Sequence, residues 1–169
     1  MRLFFAVWPD EAAARALEAL ALALANMTGG KPVPREKIHL TLAFLGEVAG
    51  DRVEDASAAG AQVRGAPFRL RLDQVGSFRR AGVAWAGCRN APARLASLQS
   101  DLAGSLGAHG FTLEERAFAP HITLARRIRK SVPTTPTEAI AWRVRDVTLV
   151  RSETGTGRYT VMERWPLGA

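Results

Sequence analysis

The chain has 169 residues, 47% of them hydrophobic and 23% charged, an ordinary balance for a globular protein able to bury a core. Its formal net charge of +7, from 23 Lys and Arg against 16 Asp and Glu, fits either polyanionic, phosphorylated ligands or a solvated arginine-rich surface. A single cysteine, Cys88, excludes an internal disulfide and a cysteine zinc site, and no apolar run approaches the length of a membrane span.

In chain order, residues 2–8 (RLFFAVW) read as a buried strand. Pro9-Asp10 cuts this apolar run too early for a secretory signal, so a cytoplasmic protein is expected. Asp10 is placed to cap a helix over EAAARALEALALALANM, with Leu17, Leu20 and Leu24 on one stripe. Lys31-Pro32-Val33-Pro34 reads as a loop leading to the strand HLTLAFLG. An Ala-rich helix is expected from Asp51 to Val63, with Val53 and Ala56 inward. Phe68 to Asp73 alternates apolar and charged residues as a half-buried strand does. A turn over Gly76–Arg80 and a returning strand at Val83–Ala86 follow. Leu95, Leu98, Leu102 and Leu106 mark a third helix, closed by Gly107 and Gly110. After the strand HITLAR comes a basic run, Arg126 to Lys130, and the segment SVPTTPT at 131–137 is expected to be mobile. Two strands, Ala141–Val150 and Arg158–Met162, finish a chain of the α+β class, with antiparallel sheets backed by helices.

The informative feature is a tetrapeptide that occurs twice, His39-Leu40-Thr41-Leu42 and His121-Ile122-Thr123-Leu124. Strand side chains alternate, so burying the aliphatic residues leaves an imidazole and a hydroxyl together on the other face. The copies are half a chain apart, which implies two similar halves whose histidines meet across a cleft. Two imidazoles supply a general base and a general acid near neutral pH, and that pair suits a phosphodiester. Its attacking group must lose a proton while its leaving oxygen gains one. Thr41 and Thr123 would donate hydrogen bonds to the nonbridging oxygens. His109 follows a helix with no neighbouring motif and reads as a capping or surface residue, and Cys88 as a structural thiol. No acidic residue shares the motif faces, no metal-binding histidine spacing occurs, and Gly-rich phosphate loops and a nucleophile elbow are absent. The site is expected to use neither metal nor cofactor.

With these motifs, together with RLFFAVWPD, FRLRLDQVGSF, VAWAG and PHITLAR, the chain resembles the 2H phosphoesterase superfamily. Within it the likeness is to the RNA 2',3'-cyclic phosphodiesterases, once called 2'-5' RNA ligases. The resemblance implies one domain over residues 1–169, made of two intimately packed lobes. Each lobe would be an antiparallel sheet with helices outside, related by a pseudo-two-fold axis around a central cleft. It implies hydrolysis of a terminal 2',3'-cyclic phosphate on RNA to a 2'-phosphate. His39 would donate a proton to the leaving 3'-oxygen, His121 would accept one from water, and Thr41 and Thr123 would hold the phosphate. Nothing in the sequence orients the pair, so acid and base are interchangeable on these grounds. Arg126 matches a phosphate-binding arginine of close relatives, although strand parity places it with Ile122 and Leu124, away from His121. A bulge or twist after Leu124 would be needed to bring it back. Phe5 could stack a base, but core packing is the stronger expectation.

Two other functions fit the same residues. One is a reversible 2'-5' RNA ligase, which runs the same step backwards, and the other is an RNA- or nucleotide-binding module without turnover. The expected partners are RNA ends or small cyclic-phosphate nucleotides, with no membrane, no obligate protein partner and a monomeric state.

Overall fold

In the computed structural model, which describes residues 1–114 and 116–168, every strong hydrophobic period becomes an element. The strands are β1 (Arg2–Val7), β2 (Lys31–Pro32), β3 (Leu40–Glu47), β4 (Phe68–Phe78), β5 (Val83–Gly87), β6 (His121–Arg126), β7 (Thr135–Val144), β8 (Asp146–Ser152) and β9 (Tyr159–Pro166). The helices are α1 (Glu11–Thr28), α2 (Val53–Ala61) and α3 (Ala93–Ala108). Two antiparallel sheets result, ordered β3-β1-β8-β9 and β2-β6-β5-β4-β7. Among the described residues no helix is long and apolar enough to cross a membrane.

Helix α1 starts where Asp10 Oδ1 accepts the Ala13 N–H at 2.8 Å, and it stops at Gly29, whose φ of +71° favours glycine. Its buried stripe of Ala13, Leu17, Ala21, Leu24 and Ala25 does not cover the sheet that precedes it. It lies instead on the second sheet, against β6, β2 and β7. Conversely, α3 leaves β5 of the second sheet and packs on α2 and β3 of the first. Each sheet needs cover for one apolar face: α1 covers the second, and α2 with α3 covers the first. One continuous core therefore runs from Leu3, Phe5 and Val7 to Leu70, Leu72 and Trp142.

Five features differ from the sequence reading. Ala141–Val150 is not one strand: β7 ends at Val144, β8 begins at Asp146, and the two belong to different sheets. Arg145 is the joint, and its carbonyl accepts the Leu167 N–H at 2.7 Å. Arg145 and Asp146, two charged residues in a row, move the apolar phase from Trp142 and Val144 to Val147 and Leu149, so the pattern does mark the joint. The turn after β4 falls at 79–82 rather than 76–80. Gly76 serves a different purpose, because a Cβ there would stand 2.4 Å from the Trp85 ring. The segment expected to be mobile is held: Thr135 and Pro136 pair with Val75 and Gln74, and Val132 exchanges hydrogen bonds with the Ser77 hydroxyl at 2.9 and 3.1 Å. Helix α3 continues through Gly107 to Ala108, and Lys31-Pro32 adds a short strand beside β6 where a loop was expected.

Candidate active site

The two motif strands lie against each other, β3 at the edge of the first sheet and β6 in the second. Leu40, Leu42, Ile122 and Leu124 are buried in the common core, while His39, Thr41, His121 and Thr123 are half-buried on the opposite face. Each imidazole is oriented by its own backbone. His39 Nδ1 lies 2.6 Å from the Lys37 carbonyl and His121 Nδ1 lies 2.8 Å from the Ala119 carbonyl. A carbonyl only accepts, so Nδ1 carries the hydrogen in both rings and Nε2 is the nitrogen left for chemistry. His39 Nε2 stands 3.0 Å from Thr41 Oγ1, the side-by-side placement implied by the alternation.

The surroundings of the two rings differ. Phe4 stacks on His39 with centroids 4.9 Å apart, Trp8 lies at 5.2 Å, and Tyr159 meets the ring edge-on at 5.6 Å. His121 has one aromatic neighbour, Phe78, edge-on at 5.0 Å. Burial lowers the pKa of His39 from 6.5 to about 4. The Lys37 carbonyl bond opposes that shift, and the nearby positive charges of Arg126 and His121 reinforce it.

Arg126 reaches this neighbourhood because β6 is bulged. Trp85 faces Thr123 and Ala84 faces Ala125, so Leu124 is an extra residue and the parity reverses beyond it. Leu124 and Ala125 are both fully buried, and Arg126 emerges on the side of the histidines. The parity argument that placed it away from His121 fails for this reason. Strand β3 carries the same device: Ala6 faces Thr41 and Phe5 faces Ala43, leaving Leu42 as the extra residue. The position matching Arg126 is there occupied by Phe44, 52% exposed.

The aromatic lining was largely missed by the sequence reading. Period two along β1 places Phe4, Ala6 and Trp8 on one face, a signal that was present. Phe5 points the other way, is fully buried and stacks on Trp165 at 6.0 Å. Tyr159 comes from the far end of the chain and has no local signal. His109 closes α3 with its ring bonded to the Ser105 carbonyl at 2.8 Å, and burial, then the charge of Asp73, pushes the Cys88 thiol up to about 11. Among the described residues no three His, Cys, Asp or Glu side chains are grouped as a metal site.

The site, then, is a pair of backbone-oriented imidazoles, each beside a threonine, with one arginine at the rim. The chain as a whole is similar to proteins of known kind. The sequence model of the 2'-5' RNA ligase superfamily matches residues 8–156. The RNA 2',3'-cyclic phosphodiesterase of Escherichia coli K12 is 37% identical over 142 residues, covering 82% of this chain and 80% of its own. That of Thermus thermophilus is 36% identical over 180 residues, with 99% and 90% covered. The crystal structure of E. coli LigT complexed with 3'-AMP matches with a TM-score of 0.85 at 33% identity, covering 99% of this chain and 98% of that one. The chain belongs to the 2'-5' RNA ligase superfamily, the group its duplicated His-x-Thr strands resemble.

Proposed function

We propose that the protein is an RNA 2',3'-cyclic phosphodiesterase that opens a terminal cyclic phosphate to a 2'-phosphate. His121 Nε2 takes a proton from water, the water oxygen bonds to phosphorus, the bond from phosphorus to the 3'-oxygen breaks, and His39 Nε2 protonates that oxygen. Thr41 and Thr123 donate to the nonbridging oxygens, and Arg126 neutralises the charge that builds there. The observation that carries this reading is the pair of rings, each with Nδ1 tied to a backbone carbonyl and Nε2 left for proton transfer.

Burial at a pKa of about 4 keeps His39 neutral at neutral pH before substrate binds, so the acid role requires it to gain a proton on binding. An anionic phosphate against Nε2 offsets the charge of Arg126 and favours that protonation. Run backwards with a 5'-hydroxyl in place of water, the same groups make a 2'-5' bond. We read residues 1–169 as one monomeric catalytic unit, since a single chain supplies both motifs.

The test is incubation with an oligoribonucleotide ending in a 2',3'-cyclic phosphate, followed by location of the product phosphate. A 2'-phosphate that His39→Ala no longer produces is expected. A 3'-phosphate would reverse the leaving group, and binding without conversion would leave a recognition module.

A further inference from the structure

The cleft does not end at the histidines. Beside Arg126 opens a hollow of about 220 Å³ lined by Lys31, Pro34, Lys37, Arg126, Arg127 and Tyr159, among others. Four of these side chains are cationic, and among the described residues no carboxylate lines the hollow. Among the described residues none of the four has a carboxylate oxygen within 4 Å.

Two of the cations face each other. Lys31 on β2 is the direct cross-strand partner of Arg126 on β6, and like charges in that position repel. Arg127 has a φ of 54°, the one non-glycine residue with positive φ among the described residues, in a region where a side chain costs backbone energy. Lys37 lies with Nζ 5.1 Å from the centre of the Tyr159 ring, and that ring touches His39. Gly157 leaves room for the ammonium, since a Cβ there would come within 2.9 Å of Nζ. Repulsion and backbone cost are thus held together at one place, and a bound anion would relieve the repulsion.

We propose that this hollow is a subsite for a second phosphate, the phosphodiester on the 5'-oxygen of the nucleoside that carries the cyclic phosphate. The inference rests on the cyclic-phosphate reading above. The hollow shares Arg126 with the site, so an anion held there lies next to the reacting phosphate. In an RNA with a cyclised end, the nearest other anion is that phosphodiester. The enzyme therefore selects a chain end over a free nucleoside cyclic phosphate. Lys31, Lys37 and Arg127 set that preference without touching the reacting atoms.

The experiment compares kcat/KM for three substrates: a diribonucleotide ending in a 2',3'-cyclic phosphate, a nucleoside 2',3'-cyclic phosphate with a free 5'-hydroxyl, and the same nucleoside with a 5'-phosphate. The dinucleotide is expected to lead the 5'-hydroxyl substrate by about tenfold, the scale of one charge-assisted hydrogen bond. In the double variant Lys31→Ala, Arg127→Gly that lead should fall to about twofold or less, with the 5'-hydroxyl rate unchanged. If the double variant does not fold, Lys31→Ala alone should remove part of the lead. A 5'-phosphate that restores the lead shows that any second phosphate fills the subsite, and one that restores none assigns it to the phosphodiester. Equal rates on all three substrates in the wild type, or an equal loss on all three in the variant, overturn the subsite while leaving the hydrolytic reading intact. No turnover of any substrate overturns the hydrolytic reading and the subsite with it.

Discussion

His39 and His121 are held by the same backbone device, a ring nitrogen on the carbonyl two residues upstream, yet they sit in different surroundings. Three aromatic rings enclose the first and one lies edge-on to the second. The strands that carry them bulge at the same step, and the residue each bulge turns outward is Phe44 in one lobe and Arg126 in the other. The backbone is thus repeated while the side chains diverge. A strictly symmetric pair of imidazoles would have no reason to differ in proton affinity. Burial of His39 supplies one, in the direction that disfavours its protonated form, so the acid role proposed for it depends on the bound phosphate.

The most direct way to break the comparison is to remove either ring. His39→Ala and His121→Ala should each lower kcat by about a thousandfold while the circular dichroism of the fold stays the same. Near-normal turnover by either variant would end the two-histidine mechanism. The next effect is on stability. The unfolded chain protonates His39 near 6.5 and the folded chain near 4. Over that window the unfolded state binds the extra proton, so stability is full above about pH 6.5 and falls as the pH drops towards 4. The loss is on the order of 3 kcal/mol, and urea unfolding at several pH values should show it in the wild type and not in His39→Gln.

A third test addresses the charge that couples the two lobes. Arg126→Gln should reduce kcat/KM about a hundredfold, as loss of one preorganised donor to a charged transition state does. It should also move the His39 titration upward in an NMR pH series, because a cation that lowers its pKa has gone. An unmoved titration would place Arg126 outside the site. In the wild type, the kcat/KM limb near pH 4 should appear at higher pH in kcat, and coincident limbs would show that bound phosphate does not recharge His39. The smallest effect sharpens the comparison. Phe4→Leu keeps most of the buried volume at a cost of about 1 kcal/mol and admits water to the His39 ring, so its pKa should rise. Phe78→Leu, beside His121, should leave the His39 titration where it is.

Local pattern alone determined the helices, the strands around the motifs, and the face shared by each His and Thr. These depend on side-chain period and on capping residues such as Asp10 and Gly29, which act within a turn or two of chain. The site's histidines and threonines were legible for the same reason, being written twice in contiguous residues. The tertiary structure decided what depends on a neighbour distant in sequence. It sent the strands on either side of Arg145 to different sheets, and it packed α1 on the second sheet and α3 against the first. It also set the bulge at Leu124, because an extra residue is defined only against the partner strand. That bulge brought Arg126 to the histidines, and Phe4 with Tyr159, 155 residues apart in sequence, closed around His39. The chemical groups are local properties of the sequence. Their proton affinities and their arginine come from burial and strand register, which only the folded chain supplies.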